Sequence, residues 1–134
     1  MSTDDSSGFC FEAIGFVENE FKETQRDPDV FVGTVSRIRL LGAFARGLFR
    51  IEGYKRLYII YAFDRSTGFE IVLHPRADPG RPERGVFATH SPRRPNPIGL
   101  TVVDLLGVDG QTLTVRGLDA IDGTPVLDIK PCED

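Results

Sequence analysis

The stretch Ile98-Gly99-Leu100-Thr101-Val102-Val103-Asp104-Leu105-Leu106-Gly107-Val108-Asp109-Gly110-Gln111-Thr112-Leu113-Thr114-Val115-Arg116-Gly117-Leu118 decides the fold. Two apolar, β-branched runs, Ile98 to Val108 and Gln111 to Leu118, are joined at Asp109-Gly110. Asp-Gly between such runs is among the strongest hairpin signals a sequence carries, because both residues tolerate the positive φ that a tight turn requires. Upstream, Thr34 to Leu40 alternates polar and apolar residues and reads as a half-buried strand. Leu57 to Phe63 is β-branched and aromatic, the composition of a central strand. Phe9 to Val17 has a rough period of two and predicts another strand, as do the short runs Phe69 to Leu73 and Val86 to Thr89. Downstream, Asp122-Gly123 marks a turn before a last strand, Pro125 to Ile129. Between Gly42 and Gly53 the spacing of Phe44, Leu48, Phe49 and Ile51 fits one or two helical turns, and residues 75–85, with three prolines and two glycines, read as an irregular loop. Some eight short strands with frequent turns and little helix predict a mainly β protein: a single small antiparallel β-barrel domain with short helical turns. Residues 1–8 read as a disordered lead, 9–131 as the barrel and 132–134 as a tail.

At 134 residues the chain suffices for one core and not for two ordinary domains. Its longest uncharged apolar run, Leu57 to Phe63, is far short of the roughly 20 residues that span a bilayer, so no membrane association is expected. The acidic, polar opening lacks the layout of an export signal, which favours the cytoplasm. Cys10 and Cys132 lack CxxC spacing and cannot form a structural zinc site alone, so no metal is expected; a disulfide between them is disfavoured in a cytoplasmic chain. The net charge of −4 hides a segregation: residues 1–36 carry −6, residues 37–94 carry +7 and residues 95–134 carry −5. A basic middle between acidic ends can give one face a positive field, or can simply be solvated surface.

The least ordinary segment is Arg84 to Gly99. Pro92, Pro95 and Pro97 leave its backbone few conformations, so its shape is largely fixed before any ligand arrives. Arg93 and Arg94 present planar donors suited to phosphate or carboxylate, Asn96 can read a base edge or cap a turn, and His90 stands beside the prolines. A rigid connector between two strands is the plainer alternative. A second cluster, Leu118 to Pro131, brings Asp119, Asp122 and Asp128 together, but without the spacing of a calcium loop. Asp128 falls within a strand and needs a partner if buried; Lys130 lies on the same face, and Arg116 could serve equally. There is no nucleophile elbow, P-loop or GxGxxG.

Taken together, GVFATHSPRRPNPIGLTVVDL and LDAIDGTPVLDIKP resemble the paired signature of the TsaA-like (TrmO) family of S-adenosylmethionine-dependent tRNA methyltransferases. IEGYKRLYIIYAFDRS resembles a further segment of that family, so the likeness runs from about Phe9 to Pro131. The resemblance implies a small β-barrel, a homodimer with S-adenosyl-L-methionine near the subunit boundary, and methylation of the exocyclic N6 amine of a threonylcarbamoylated adenosine in the tRNA anticodon loop. Carried over by motif, the cofactor contacts are Asp64, Arg65, His90, Leu100, Asp119, Ala120, Ile121 and Asp122, with a looser match at Arg26, Asp27 and Pro28. His90 stands where the family usually has arginine. Arg81, Arg84, Arg93, Arg94 and Asn96 would contact the anticodon arm, and Asp128 is the carboxylate nominated to take a proton. Two other readings remain: a cofactor-binding regulatory module without RNA activity, and a methyltransferase for a small molecule.

Overall fold

The computed structural model describes residues 8–23, 25 and 28–133. The expected lead over 1–8 therefore falls almost wholly outside the described residues, as do Arg26 and Asp27. Eight strands follow in order: β1 (Gly15–Glu18), β2 (Val35–Leu40), β3 (Arg56–Ala62), β4 (Val72–Leu73), β5 (Arg84–Gly85), β6 (Ile98–Asp109), β7 (Thr112–Arg116) and β8 (Pro125–Pro131). Six of them close an antiparallel barrel in the order β1-β2-β7-β6-β3-β8, with β8 returning to β1; β4 and β5 form a separate two-stranded ribbon.

Alternation dictates the closure. Ser36, Ile38 and Leu40 of β2, Leu57, Ile59 and Tyr61 of β3, and Leu113 and Val115 of β7 point inward and are buried, while their sequence neighbours face out. With Val17, Val103, Leu118 and Val126 they fill the barrel. At the hairpin, Asp109 pairs with Thr112, so the two loop residues are Gly110 and Gln111, with Gly110 at φ 61°. The Gln111 amide then donates to the Leu40 carbonyl at 2.6 Å, fastening the tip to the end of β2. The segment expected to hold helical turns forms two 3-10 turns, Gly42–Leu48 and Ile51–Gly53, and Leu48 and Ile51 pack against the core beneath the barrel.

Three expectations need correction. The first strand begins only at Gly15: Phe9 and Phe11 are exposed and cover no core. Val86 to Thr89 is no strand but the 3-10 turn Val86–Ala88, because the Thr89 N–H and hydroxyl both donate to the Val86 carbonyl and curl the backbone. Phe69 to Leu73 contributes just the two residues of β4, with Phe69 and Ile71 left exposed.

Antiparallel closure has a consequence for function. Neighbouring strands alternate in direction, so the connections β1–β2 (residues 19–34), β3–β6 (63–97) and β7–β8 (117–124) all emerge at one end of the barrel. The other end carries the hairpin tip and the 3-10 turns Gly42–Leu48 and Ile51–Gly53.

Candidate functional site

The three connections at this end do not hang free; side chains tie them into one rim. Asn19, in the first, donates from its amide to the Ser36 hydroxyl (3.0 Å) and to the Ala120 carbonyl (2.8 Å), and its side-chain oxygen accepts from the Phe21 N–H. Its own backbone N–H donates to Asp122 Oδ1 at 3.0 Å. Arg65, in the second, donates to the Lys22 carbonyl at 2.7 Å. The third is held from below: Tyr61 Oη donates to the Asp119 carbonyl and shares a hydrogen bond with Thr101 Oγ1, each at 2.8 Å. Tyr61 is 2% exposed, so its hydroxyl needs such partners. Its ring meets Phe63 edge-on with centroids 5.5 Å apart. Both rings pass so close to Gly99 that a Cβ there would lie 2.6 Å from Tyr61 Cζ and 2.9 Å from Phe63 Cζ.

Inside this rim lies a cavity of about 860 Å³. Gln25 and Phe31 line it from the first connection, Phe63 to Thr67, Pro75, Arg76, Arg81, Pro82, Arg84 and Ala88 to Arg93 from the second, and Asp119 to Ile121 with Thr124 from the third. A second hollow of about 570 Å³ adjoins it, running over Phe87, Arg94, Ile98, Leu100 and Val102. The two share Tyr61, Phe63, Ala88, Thr89, His90 and Asp119.

The proline-rich loop is tied down by hydrogen bonds. Phe63 N–H donates to the Pro97 carbonyl, the Ser66 hydroxyl to the Pro92 carbonyl, and the Ser91 and Arg93 N–H groups to the Thr89 and Ser91 hydroxyls. Arg94 turns inward: its Nη1 donates to the Thr89 and Ser91 carbonyls at 2.8 and 3.1 Å. The structure thus makes Arg94 a brace of the loop, where the sequence suggested a projecting phosphate donor. Arg81, Arg84 and Arg93 do line the cavity, with Arg65 and Arg76. Arg81 lies 3.7 Å from Asp78, whereas Arg84 and Arg93 have no ion pair among the described residues. Asn96 lines neither hollow; its carbonyl accepts from the Ile98 N–H.

Of the residues expected to hold a cofactor, Asp64, Arg65, His90, Asp119, Ala120 and Ile121 line the larger cavity, and Leu100 lines the smaller. Asp122 does not. Its Oδ2 pairs with Lys22 at 2.9 Å and its Oδ1 takes the Asn19 N–H, so the carboxylate clasps the rim and is held below the usual carboxylate range, chiefly by Lys22. Arg26 and Asp27 fall outside the described residues, and Pro28 begins the 3-10 turn Pro28–Phe31. Asp128 lies on the outer wall opposite Ile60, with Oδ1 accepting its neighbour's N–H and Oδ2 3.0 Å from Lys130. Lys130 is therefore its partner, Arg116 pairing instead with Asp104, and Asp128 lines neither hollow. Asp119 behaves differently. The residue is exposed, yet its carboxyl sits against concave walls, and desolvation there raises its pKa against the opposing fields of His90 and Arg76.

Asn19, Tyr61, Phe63 and Thr101 are site-building residues that the sequence reading missed. A signal existed for Tyr61, which at an inward strand position must find a partner for its hydroxyl, and Gly99 inside a strand marks the close approach of the Tyr61 and Phe63 rings.

Residues 16–133 match the profile of the tRNA-methyltransferase O N-terminal domain. The chain is 45% identical over 121 residues to an S-adenosyl-L-methionine-binding protein of Archaeoglobus fulgidus, covering 87% of this chain and 84% of that one. It is 35% identical over 136 residues to the tRNA (adenine(37)-N6)-methyltransferase of Escherichia coli, covering 93% of this chain and 58% of the enzyme. The crystal structure of TrmO from Pseudomonas aeruginosa superposes with a TM-score of 0.76 at 29% identity, covering 96% of this chain and 58% of that one. The chain thus spans a little over half the length of these last two proteins.

Proposed function

Because the chain belongs to the tRNA-methyltransferase O N-terminal domain family, we propose that it is an S-adenosyl-L-methionine-dependent methyltransferase acting on the N6 amine of adenosine in the tRNA anticodon loop. One observation carries the reading. The two segments that bear the family signature, 85–105 and 118–131, are separate in sequence, and their members His90 and Asp119 both line the two hollows. The cavity fits the cofactor: about 860 Å³ lies within the roughly 300–1,000 Å³ of small-molecule sites. Its lining offers carboxylates for amino and ribose groups, arginines for a carboxylate, and the half-buried ring of Phe63 for a base. Asp64, Arg65, His90, Leu100 and Asp119 to Ile121 would hold the cofactor, which supplies an electrophilic methyl group. Arg81, Arg84 and Arg93 would receive the RNA, and their charge also suits the carboxylate of a threonylcarbamoylated adenosine.

We further propose a homodimer, supported by the exposed apolar row Ile98, Leu100 and Val102 on the outer face of β6, continued by the exposed Phe87. A tRNA substrate accords with a cytoplasmic protein. The name of the Archaeoglobus relative favours a second reading, a module that binds the cofactor without methylating RNA. Calorimetry with S-adenosyl-L-methionine tests what the two readings share. Incorporation of labelled methyl into tRNA from cells lacking the gene, with and without threonylcarbamoyl adenosine, separates them: cofactor binding with no label in RNA defeats the methyltransferase reading.

A further inference from the structure

Tyr61, Phe63, Ala88, Thr89, His90 and Asp119 border both hollows. The residues assigned above to the cofactor and the arginines assigned to the RNA line the larger one together, so the reacting atoms would meet beside this shared border. Of these six residues, only His90 and Asp119 can exchange a proton readily. Tyr61 is a buried phenol whose ionisation desolvation opposes, and its hydroxyl is already committed to Thr101 and to the Asp119 carbonyl. Asp128, the carboxylate the sequence nominated for a proton, is on the outer wall with Lys130.

We propose that Asp119 is the catalytic residue that accepts the proton of the target amine, and that Tyr61 is the positioning residue that holds Asp119 at the border of the two hollows. The inference rests on the methyltransferase reading above and deepens it. The lone pair of the amine nitrogen forms the new N–CH3 bond as the S–CH3 bond breaks, its electron pair staying on sulfur as a neutral thioether. The N–H proton passes to Asp119 Oδ and then to solvent past the exposed His90. An exocyclic purine amine is feebly basic, so it becomes a strong acid once alkylated, and a carboxylate suffices as acceptor. The same cavity sets Asp64, Arg65, Arg76 and His90 around Asp119. Arg76 and His90 favour the carboxylate, while its concave, partly desolvated seat favours the proton and makes it more basic than an ordinary aspartate.

Tyr61 acts through the backbone. Its hydroxyl fixes the Asp119 carbonyl at 2.8 Å, and its ring is seated against Gly99 and Phe63. The experiment compares Asp119→Asn, Tyr61→Phe and the double variant with the wild type, reading cofactor Kd by calorimetry, Tm, and single-turnover methyl transfer into tRNA. Asp119→Asn should slow transfer by about 100-fold, the low end for proton acceptors, with Tm not reduced. Its cofactor Kd should change by no more than about tenfold, even though Asp119 also borders the cofactor. Tyr61→Phe should slow transfer about tenfold, and the double variant should be no slower than Asp119→Asn alone. Carboxyl NMR titration of Asp119 in the free protein should show an elevated pKa that moves in Tyr61→Phe. Near-wild-type transfer by Asp119→Asn with weakened cofactor binding would overturn the catalytic assignment, and additive effects would overturn the positioning role. A wild type that binds cofactor and never methylates RNA would remove the methyltransferase reading and this inference together.

Discussion

Gly99→Ala tests how the barrel builds its site. The added Cβ would meet Tyr61 Cζ at 2.6 Å and Phe63 Cζ at 2.9 Å, well inside van der Waals contact. Neither ring can yield cheaply. Tyr61 is enclosed in the core, its hydroxyl is held by Thr101 and Asp119, and Phe63 is packed edge-on against it. Overpacking of this kind costs about 1–3 kcal/mol, and a hydrogen bond broken by a displaced ring adds about 1 kcal/mol. Together these put the loss near about 3 kcal/mol, which for a chain of this size lowers Tm by roughly 10 °C. Urea denaturation should show the midpoint falling with an unchanged slope, because the surface exposed on unfolding is the same. Gly107→Ala is the control: it lies on the same strand with nothing within 4 Å of its Cβ, and should stay within about 0.5 kcal/mol of wild type. A Gly99→Ala protein that melts within about 2 °C of the wild type would refute the claim that ring contact selects glycine here.

Asn19→Ala removes three side-chain hydrogen bonds from the rim and should cost about 2–3 kcal/mol while weakening cofactor binding, read by thermal melts and calorimetry. Asp122 is a depressed carboxylate, so its stabilisation is full above the unfolded-state pKa of about 3.9 and lost as pH falls through the lower native value; Asp122→Asn should flatten the acid limb of stability against pH. Because Lys22 is largely exposed, that contribution is at most about 1 kcal/mol, and a steeper acid limb in the variant would contradict the clasp. Arg84→Ala and Arg93→Ala should each reduce the salt slope of tRNA binding by about 0.7–0.9 with Tm unchanged, whereas Arg94→Ala should lower Tm by loosening the loop it braces.

The barrel was legible where burial is one-sided. β2, β3 and β7 place apolar residues on every second position because one face meets the core and the other meets water, and Asp109-Gly110 announced the β6–β7 hairpin. The same period misled at Phe9 and Phe11, which alternate without a core to face. Val86 to Ala88 misled for another reason: the Thr89 hydroxyl, which reads as strand-forming by composition, caps a turn instead. The site's outline was legible as two unusual segments, but its construction was not. Tyr61 and Asp119 are 58 residues apart, and Asn19 and Asp122 are 103 apart, so only the barrel's register brings them into contact. Asp128 illustrates the same limit. Nothing in its local sequence tells whether it faces the cavity or the outer wall, and register with β3 decides for the wall.

Charge follows topology in a way the segment totals conceal. Of the twelve basic residues between 37 and 94, Arg65, Arg76, Arg81, Arg84, Arg93 and Arg94 lie in the single β3–β6 connection. Others are spread elsewhere: Arg39 pairs with Glu18 on the wall, and Arg46 and Arg50 stack on Phe49 at the opposite end. The arginines of the basic segment thus gather at the rim of the cavity, interleaved there with Asp64, Glu70, Asp78 and Glu83. An all-antiparallel barrel must close with an even number of strands, so three of its connections share an end, and here these are residues 19–34, 63–97 and 117–124, the longest connection among them. The opposite end is shut by Leu48, Ile51 and a two-residue hairpin, leaving little room for a site. At the rim the order reverses: Asn19, Arg65, Tyr61 and Arg94 hold the connections by hydrogen bonds to backbone carbonyls. Such bonds specify where a loop sits without depending on the identity of its exposed side chains. The exposed rim positions, Arg84 and Arg93 among them, can therefore be chosen for what they bind, while Tyr61 and Gly99 cannot.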